Sequence, residues 1–197
     1  MRLLRLLESA PIAGLRNIQP AYTSLLLTFD QSLLDHAQLE AAVRERAERS
    51  ATLSAPPSQI VEIPVCYGGE FGPDLEAVAA ARSLSRERVI KLHTSQTYHA
   101  YFLGFAPGFA YLGDLPFELV MPRLSTPRKS VPAGSVAIAG AQTGVYPFAT
   151  PGGWRLLGRT PLAMFRPDRE PMGLIAIGDQ VRFRAITREE FRALEQQ

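Results

Sequence analysis

The chain has 197 residues, 46% of them hydrophobic and 20% charged, with a formal net charge of +2. This is the composition of a soluble globular protein with one large domain or two small ones, and it excludes a disordered chain. The weak positive balance comes with no Lys/Arg block, so nothing marks a nucleic-acid binder, and no apolar run reaches the about 18 residues of a membrane span.

The first element is a helix. Leu3, Leu4, Leu6 and Leu7 recur at near-helical spacing and stop before Pro11, and Arg5 and Glu8 interrupt the run too early for a leader peptide. Ile18–Phe29 alternates and predicts one strand. Ser32–Arg49 predicts a helix with Leu33, Leu34, Leu39, Ala42, Val43 and Ala47 as its apolar stripe, and with Glu40/Arg44 and Glu45/Arg49 paired at i,i+4. Ser50–Gln59, carrying Pro56-Pro57, reads as a linker. The expected domains are therefore a small α/β domain over 1–55 and a second domain over 60–197.

The second domain opens with a strand at Ile60–Tyr67. The single cysteine, Cys66, lies on it, which excludes an internal disulfide and reads as a buried inert thiol; the cytoplasm is the default location. Helices follow, one capped by Asp74 and running to Ala81, the other capped by Ser85 and running to Leu92. Strands are expected at Tyr98–Phe105, Phe117–Met121, Ser135–Ala139, Thr143–Val145, Arg155–Thr160, Leu174–Ile177 and Gln180–Ala185, with a hairpin turn at Gly178-Asp179. Thr187 and Glu190 form a capping-box pattern for a last helix to Leu194. The whole predicts an α+β protein, a small α/β piece followed by a β barrel or sandwich with peripheral helices.

The stretch Tyr101–Thr160 concentrates Gly, Pro and aromatic residues within about sixty positions. Glycine permits positive φ and close approach, proline fixes φ, and aromatic rings supply rigid surface, so this is where loops would shape a pocket or a subunit interface. Phe105, Gly108 and Phe109 form one group, Gln142 and Tyr146 a second, and Gly152, Gly153 and Trp154 a third that reads as a rim. Pro122-Arg123 and Pro127-Arg128-Lys129 place three cations on a stiffened loop; Arg128 there suits a carboxylate or a phosphate, and Arg159 adds another guanidinium near a strand end. Gln142 offers both donor and acceptor to an amide. His93 closes a helix and serves either as a general base or as a cap for the last carbonyls. No phosphate loop, dinucleotide fingerprint or nucleophile elbow is present, and His36, His93 and His99 lack metal-ligand spacing, so no metal site is expected.

Longer stretches carry a family likeness. Glu62–Leu75, Leu103–Gly113, Val131–Gly140, Gln142–Pro147, Pro151–Trp154 and Leu157–Pro161 together resemble the B subunit of the bacterial three-subunit 5-oxoprolinase, a family also called allophanate hydrolase subunit 1 and sporulation kinase inhibitor. The resemblance spans about residues 14–186. It implies a cyclophilin-like β barrel preceded by a small ferredoxin-like domain. Members begin with a strand ahead of the first helix, whereas this chain begins at that helix, which leaves two readings: a first sheet short of an edge strand, or a misassigned start.

The resemblance further implies ATP-dependent opening of 5-oxoproline to glutamate. ATP, with magnesium, would be a co-substrate rather than a bound cofactor, and subunits A and C would be obligatory partners, this chain being inactive without them. On positions matching the family text, Arg128, Lys129 and Arg159 would hold phosphate charge, Gln142 the lactam amide, and His93 would move a proton. These side chains would line a rigid cup closed by a sister chain. Two other functions follow from the same family. One is a non-catalytic inhibitor whose partner is a sensor histidine kinase. The other is a hydrolase subunit of allophanate or urea metabolism, although no biotin-attachment motif or amidase serine stretch is present.

Overall fold

The computed structural model describes residues 1–52 and 58–196. Contacts gather into two compact units, Met1–Ser58 and Gln59–Gln197. Pro56-Pro57 of the expected linker lies outside the described residues, and Ser50, its first residue, closes a helix instead.

In the first unit, helix α1 (Arg2–Ser9) turns Leu4 and Leu7 inward. The strand expected over Ile18–Phe29 is a hairpin of β1 (Leu15–Ala21) and β2 (Ser24–Phe29). Tyr22 takes the turn at φ 51°, a conformation that tyrosine rarely adopts, so the usual glycine cue is missing. Helix α2 (His36–Ser50) starts four residues later than expected. Its cap is Asp35, whose carboxylate accepts from Gln38 N–H at 2.8 Å while the Gln38 side chain accepts from Asp35 N–H at 3.0 Å. Leu7, Ile12 and Leu39 are the buried centre of this unit. Its order, helix–strand–strand–helix, is the middle portion of a ferredoxin-like unit.

The second unit is built on a closed barrel of seven strands. Going round the barrel they are β10 (Arg155–Arg159), β3 (Ile60–Tyr67), β11 (Gln180–Ala185), β4 (Tyr98–Leu103), β5 (Ala110–Gly113), β8 (Gln142–Val145) and β7 (Ser135–Ala139), which returns to β10. β3 and β11 run parallel from Gln180 opposite Ile60 to Ala185 opposite Val65, so the two ends of the unit close the wall together. Helices α3 (Leu75–Ala81) and α4 (Arg86–Thr94) and a last helix α5 (Arg188–Glu195) complete it. Ser85 and Thr187 cap as expected, accepting from Arg88 and Glu190 N–H.

Three expectations need correction. Phe117–Met121 is a 3-10 turn at Phe117–Leu119 followed by a lone bridge from Met121 to Gly140, because Pro116 sets a turn geometry at its start. Leu174–Ile177 is irregular, and the Ala176–Asp179 turn leads into β11 without a hairpin partner. The strands β5, β6 (Arg128–Val131) and β9 (Thr150–Gly152) have no counterpart among the expected elements.

Every residue of β7 is buried, although a barrel wall normally shows alternation. The reason is a second layer. Val136 and Ile138 enter the main core with Ile63, Leu75, Leu112, Leu157 and Phe183. Ala137 and Ala139 face outward, under a smaller cluster of Phe109, Val131, Tyr146, Trp154 and Leu156. The β6–β9 ribbon carries Val131 in that cluster. This aromatic layer on the outer wall is the ground of the candidate site.

Candidate functional site

Five rings meet on this layer. Phe109 makes edge contacts with Phe105, Tyr111, Tyr146 and Trp154 at centroid distances of 5.4, 4.9, 5.4 and 5.6 Å. Tyr111 also reaches Trp154 at 5.9 Å and Phe105 reaches Tyr146 at 6.2 Å. Edge-to-face contacts suit the ring quadrupoles and fix each ring against the next. The rings, the Pro151–Gly153 backbone and Arg123 bound a cleft of about 80 Å³.

Two local features let the rings converge. A Cβ on Gly152 would lie 2.4 Å from the Tyr146 hydroxyl oxygen, so only glycine lets that ring lie on the β9 backbone. Phe105 sits at φ 72° and is 60% exposed. A phenylalanine in the left-handed region is strained by roughly 1–2 kcal/mol, and here the strain sets an apolar ring at the rim. The Tyr146 hydroxyl is hydrogen-bonded to the Trp154 backbone, and burial pushes its phenol up, so it stays protonated.

The Gly152–Trp154 side of the cleft is held by charge. Asp74, expected to cap α3, makes no side-chain cap. Its carboxylate accepts from Arg128 Nη2 at 2.7 Å and from Leu156 N–H at 2.7 Å. Arg128 also reaches the Trp154 carbonyl at 3.5 Å and stands opposite Gly152 in the ribbon. Arg128 therefore ties the Gly152–Trp154 wall to the start of α3.

Of the residues singled out in the sequence, the cleft brings together Phe105, Phe109, Tyr146, Gly152, Gly153 and Trp154. The others fall elsewhere. Gly108 takes φ 81° where its backbone abuts Met164 and Phe165, and shapes the loop without lining the cleft. Arg159 donates from Nε to the Ala133 carbonyl at 2.9 Å. Lys129 is exposed on β6, and Gln142 opens β8 at the tip of the β7–β8 hairpin. The guanidinium, ammonium and carboxamide groups expected to line one cup do not line this cleft.

His93 needs the clearest correction. Its ring is fully buried in the barrel, stacked on Phe183 at 4.5 Å, and has no place on the cleft. Thr143 Oγ1 donates to the Ala137 carbonyl at 3.0 Å, so it accepts from His93 Nε2–H at 2.9 Å. Nδ1 then accepts from the Tyr67 hydroxyl at 2.7 Å. Burial lowers the imidazole to about 3, and it is neutral at physiological pH. The backbone carbonyl of His93 accepts from the Tyr98 hydroxyl at 2.8 Å.

Arg123, Tyr111 and Pro151 line the cleft and are not among the site residues singled out in the sequence. Tyr111 has a sequence signal, its place in the Phe109–Leu112 aromatic run. Arg123 has only the company of other cations. Its guanidinium lies over the Trp154 ring, 5.9 Å from the centroid. Cys66 is buried, and burial pushes its thiol up, away from reactivity. No described helix is long and apolar enough to cross a membrane.

The protein is of the α+β class, and its closed seven-stranded barrel agrees with the cyclophilin-like barrel that the family resemblance implies. The chain belongs to the family described as the carboxyltransferase domain, subdomain C and D, which matches residues 1–175. It is 47% identical over 201 residues to the 5-oxoprolinase B subunit of Bacillus subtilis, covering 97% of this chain and 84% of that one. The crystal structure of TTHA0988 matches with a TM-score of 0.81 and 41% identity over 94% of this chain, which spans 36% of that longer chain. The urea amidolyase of K. lactis matches with a TM-score of 0.74 at 20% identity over 99% of this chain and 14% of its own, a likeness of fold.

Proposed function

We propose that this chain is the B subunit of a cytoplasmic, ATP-dependent 5-oxoprolinase, assembled with subunits A and C and inactive without them. The observation that carries the reading is the 47% identity to a 5-oxoprolinase B subunit along nearly the whole chain. The cleft agrees with it. A ring-lined cleft of about 80 Å³ with polar groups at its edge suits a five-membered lactam ring and is far below the roughly 300–1,000 Å³ of sites for larger ligands. The nucleotide sits on another subunit in this reading, which the structural partners already held by Arg128 and Arg159 favour.

In this reading the rings exclude water from the lactam and hold it flat, while partner subunits bring the remaining chemistry. The test is ATP-dependent glutamate release by the three reconstituted subunits. Gly152→Ala displaces the Tyr146 ring that lines the cleft, and kcat/KM for 5-oxo-L-proline should fall by about 10- to 100-fold, with the fold destabilised by about 1–3 kcal/mol. Full turnover by that variant would remove the cleft from the reaction. Glutamate release by this chain alone would remove the requirement for partners.

A further inference from the structure

We propose that Arg123 anchors a carboxylate, and that the ligand of the cleft is a small ring bearing one such group. The inference rests on the lactam reading above and assigns one functional group of the substrate to one residue.

Three observations converge on Arg123. First, no acid pairs with it among the described residues. Arg128, Arg44 and Arg184 each hold a carboxylate at 2.7–2.8 Å, whereas no described carboxylate pairs with Arg123, and no acidic side chain lines the cleft. Second, its backbone is fastened on both sides. The Met121 carbonyl accepts from Gly140 N–H at 2.8 Å, the Pro122 carbonyl from Arg155 Nε at 3.0 Å, and Leu124 N–H donates to the Gly153 carbonyl at 2.7 Å. An arginine serving solubility alone needs no such support. Third, its guanidinium lies over Trp154, 5.9 Å from the ring centroid, and both residues line the same cleft. A guanidinium on an aromatic face keeps its in-plane N–H fork for a planar anion.

The charge count selects the anion. One guanidinium matches one carboxylate through paired N–H···O bonds. The higher charge of a phosphoryl group calls for a second cation, and the nearby Arg128 is bonded to Asp74. The ring of the ligand would pack among Phe105, Phe109, Tyr111 and Trp154 while its carboxylate stays at the rim with Arg123.

The experiment compares two lactams in the reconstituted three-subunit complex: 5-oxo-L-proline, and 2-pyrrolidinone, which is the same ring without the carboxylate. Wild type should prefer the acid in kcat/KM by about 10- to 100-fold, the span of one charge-assisted hydrogen bond. Arg123→Ala should lose most of that preference through a raised KM for 5-oxo-L-proline, and leave 2-pyrrolidinone within about twofold. Arg123→Lys keeps the charge without the fork and should fall between. An Arg123→Ala enzyme with undiminished preference for the acid overturns the anchor, while a Gly152→Ala loss in the same assay would leave the lactam reading standing. A wild-type complex that opens neither lactam overturns both.

Discussion

Two aromatic clusters lie on opposite faces of the same barrel wall, and they differ in how their polar groups end. Inside, His93, Tyr67, Tyr98 and Thr143 form a chain in which both ring nitrogens are paired and the threonine hydroxyl donates onward to the Ala137 carbonyl. Outside, Phe105, Phe109, Tyr111, Tyr146 and Trp154 surround a space, and no described carboxylate pairs with the guanidinium of Arg123 beside it. A buried polar group left unpaired destabilises the fold, so a completed network is evidence of structural work. An incomplete one that the fold holds rigid is evidence of a site. The presence of a histidine decides nothing; the state of its partners does.

The largest expected effect breaks the inner cluster. His93→Ala removes a ring stacked on Phe183 and strands the Tyr67 and Thr143 hydroxyls, and should lower the unfolding free energy by about 4 kcal/mol in denaturant titrations. The same histidine makes stability depend on pH. The unfolded chain takes a proton near 6.5, and the folded chain only at about 3. Between those values the unfolded state binds the extra proton. The contribution is thus complete above about pH 6.5 and is lost as pH falls, with a slope approaching about 1.4 kcal/mol per unit. His93→Gln, which cannot titrate, should flatten that slope between pH 6.5 and about 4.5. An unchanged slope would mean that the interior histidine is protonated in the fold.

The next effect concerns the support of the outer cluster. Asp74→Ala leaves Arg128 and Leu156 N–H without their partner and should destabilise by about 3 kcal/mol. Trp154, the one tryptophan of the chain, sits on the wall that this pair holds, so its emission should shift toward that of exposed indole before global unfolding. Asp74→Asn can still accept from Leu156 N–H and should cost about half as much. Loss of stability with an unmoved tryptophan signal would show that the pair supports α3 and not the cleft.

The sequence is informative where signals are local and silent where partners are distant. The helices α3, α4 and α5 announce themselves in the sequence, and in α4 and α5 the capping hydroxyl accepts from a backbone N–H only three residues on. The rings of the cleft stand out by their density among glycines and prolines. The strands β5, β6 and β9 are only three or four residues long, too short for a period to show. Sorting the arginines is beyond local reasoning. Arg128 reads as a ligand because its acid, Asp74, is 54 residues away, and Arg123 reads only as one of three cations on a stiffened loop because its aromatic partner, Trp154, is distant in sequence. His93 reads as a helix-end residue because the strand bringing Thr143 to it lies 50 residues further on.

The smallest effect on stability still reports on function, and it concerns Phe105. Its φ of 72° is natural for glycine and strained for phenylalanine, and its 60% exposure means that the ring returns little burial for that strain. Phe105→Gly should therefore leave the unfolding free energy unchanged or raise it, by up to about 1 kcal/mol of relieved strain against lost edge contacts with Phe109 and Tyr146. The same change opens the cleft, and KM for 5-oxo-L-proline should rise several-fold. Phe105→Ala keeps the strain and removes the ring, so it should match the glycine variant in KM and fall below it in stability. Equal stability of the two would place the energetic weight on the ring contacts; equal KM to wild type would show that the rim phenylalanine faces something other than the ligand, and would move the ligand-facing edge of the cleft to Tyr111 and Arg123.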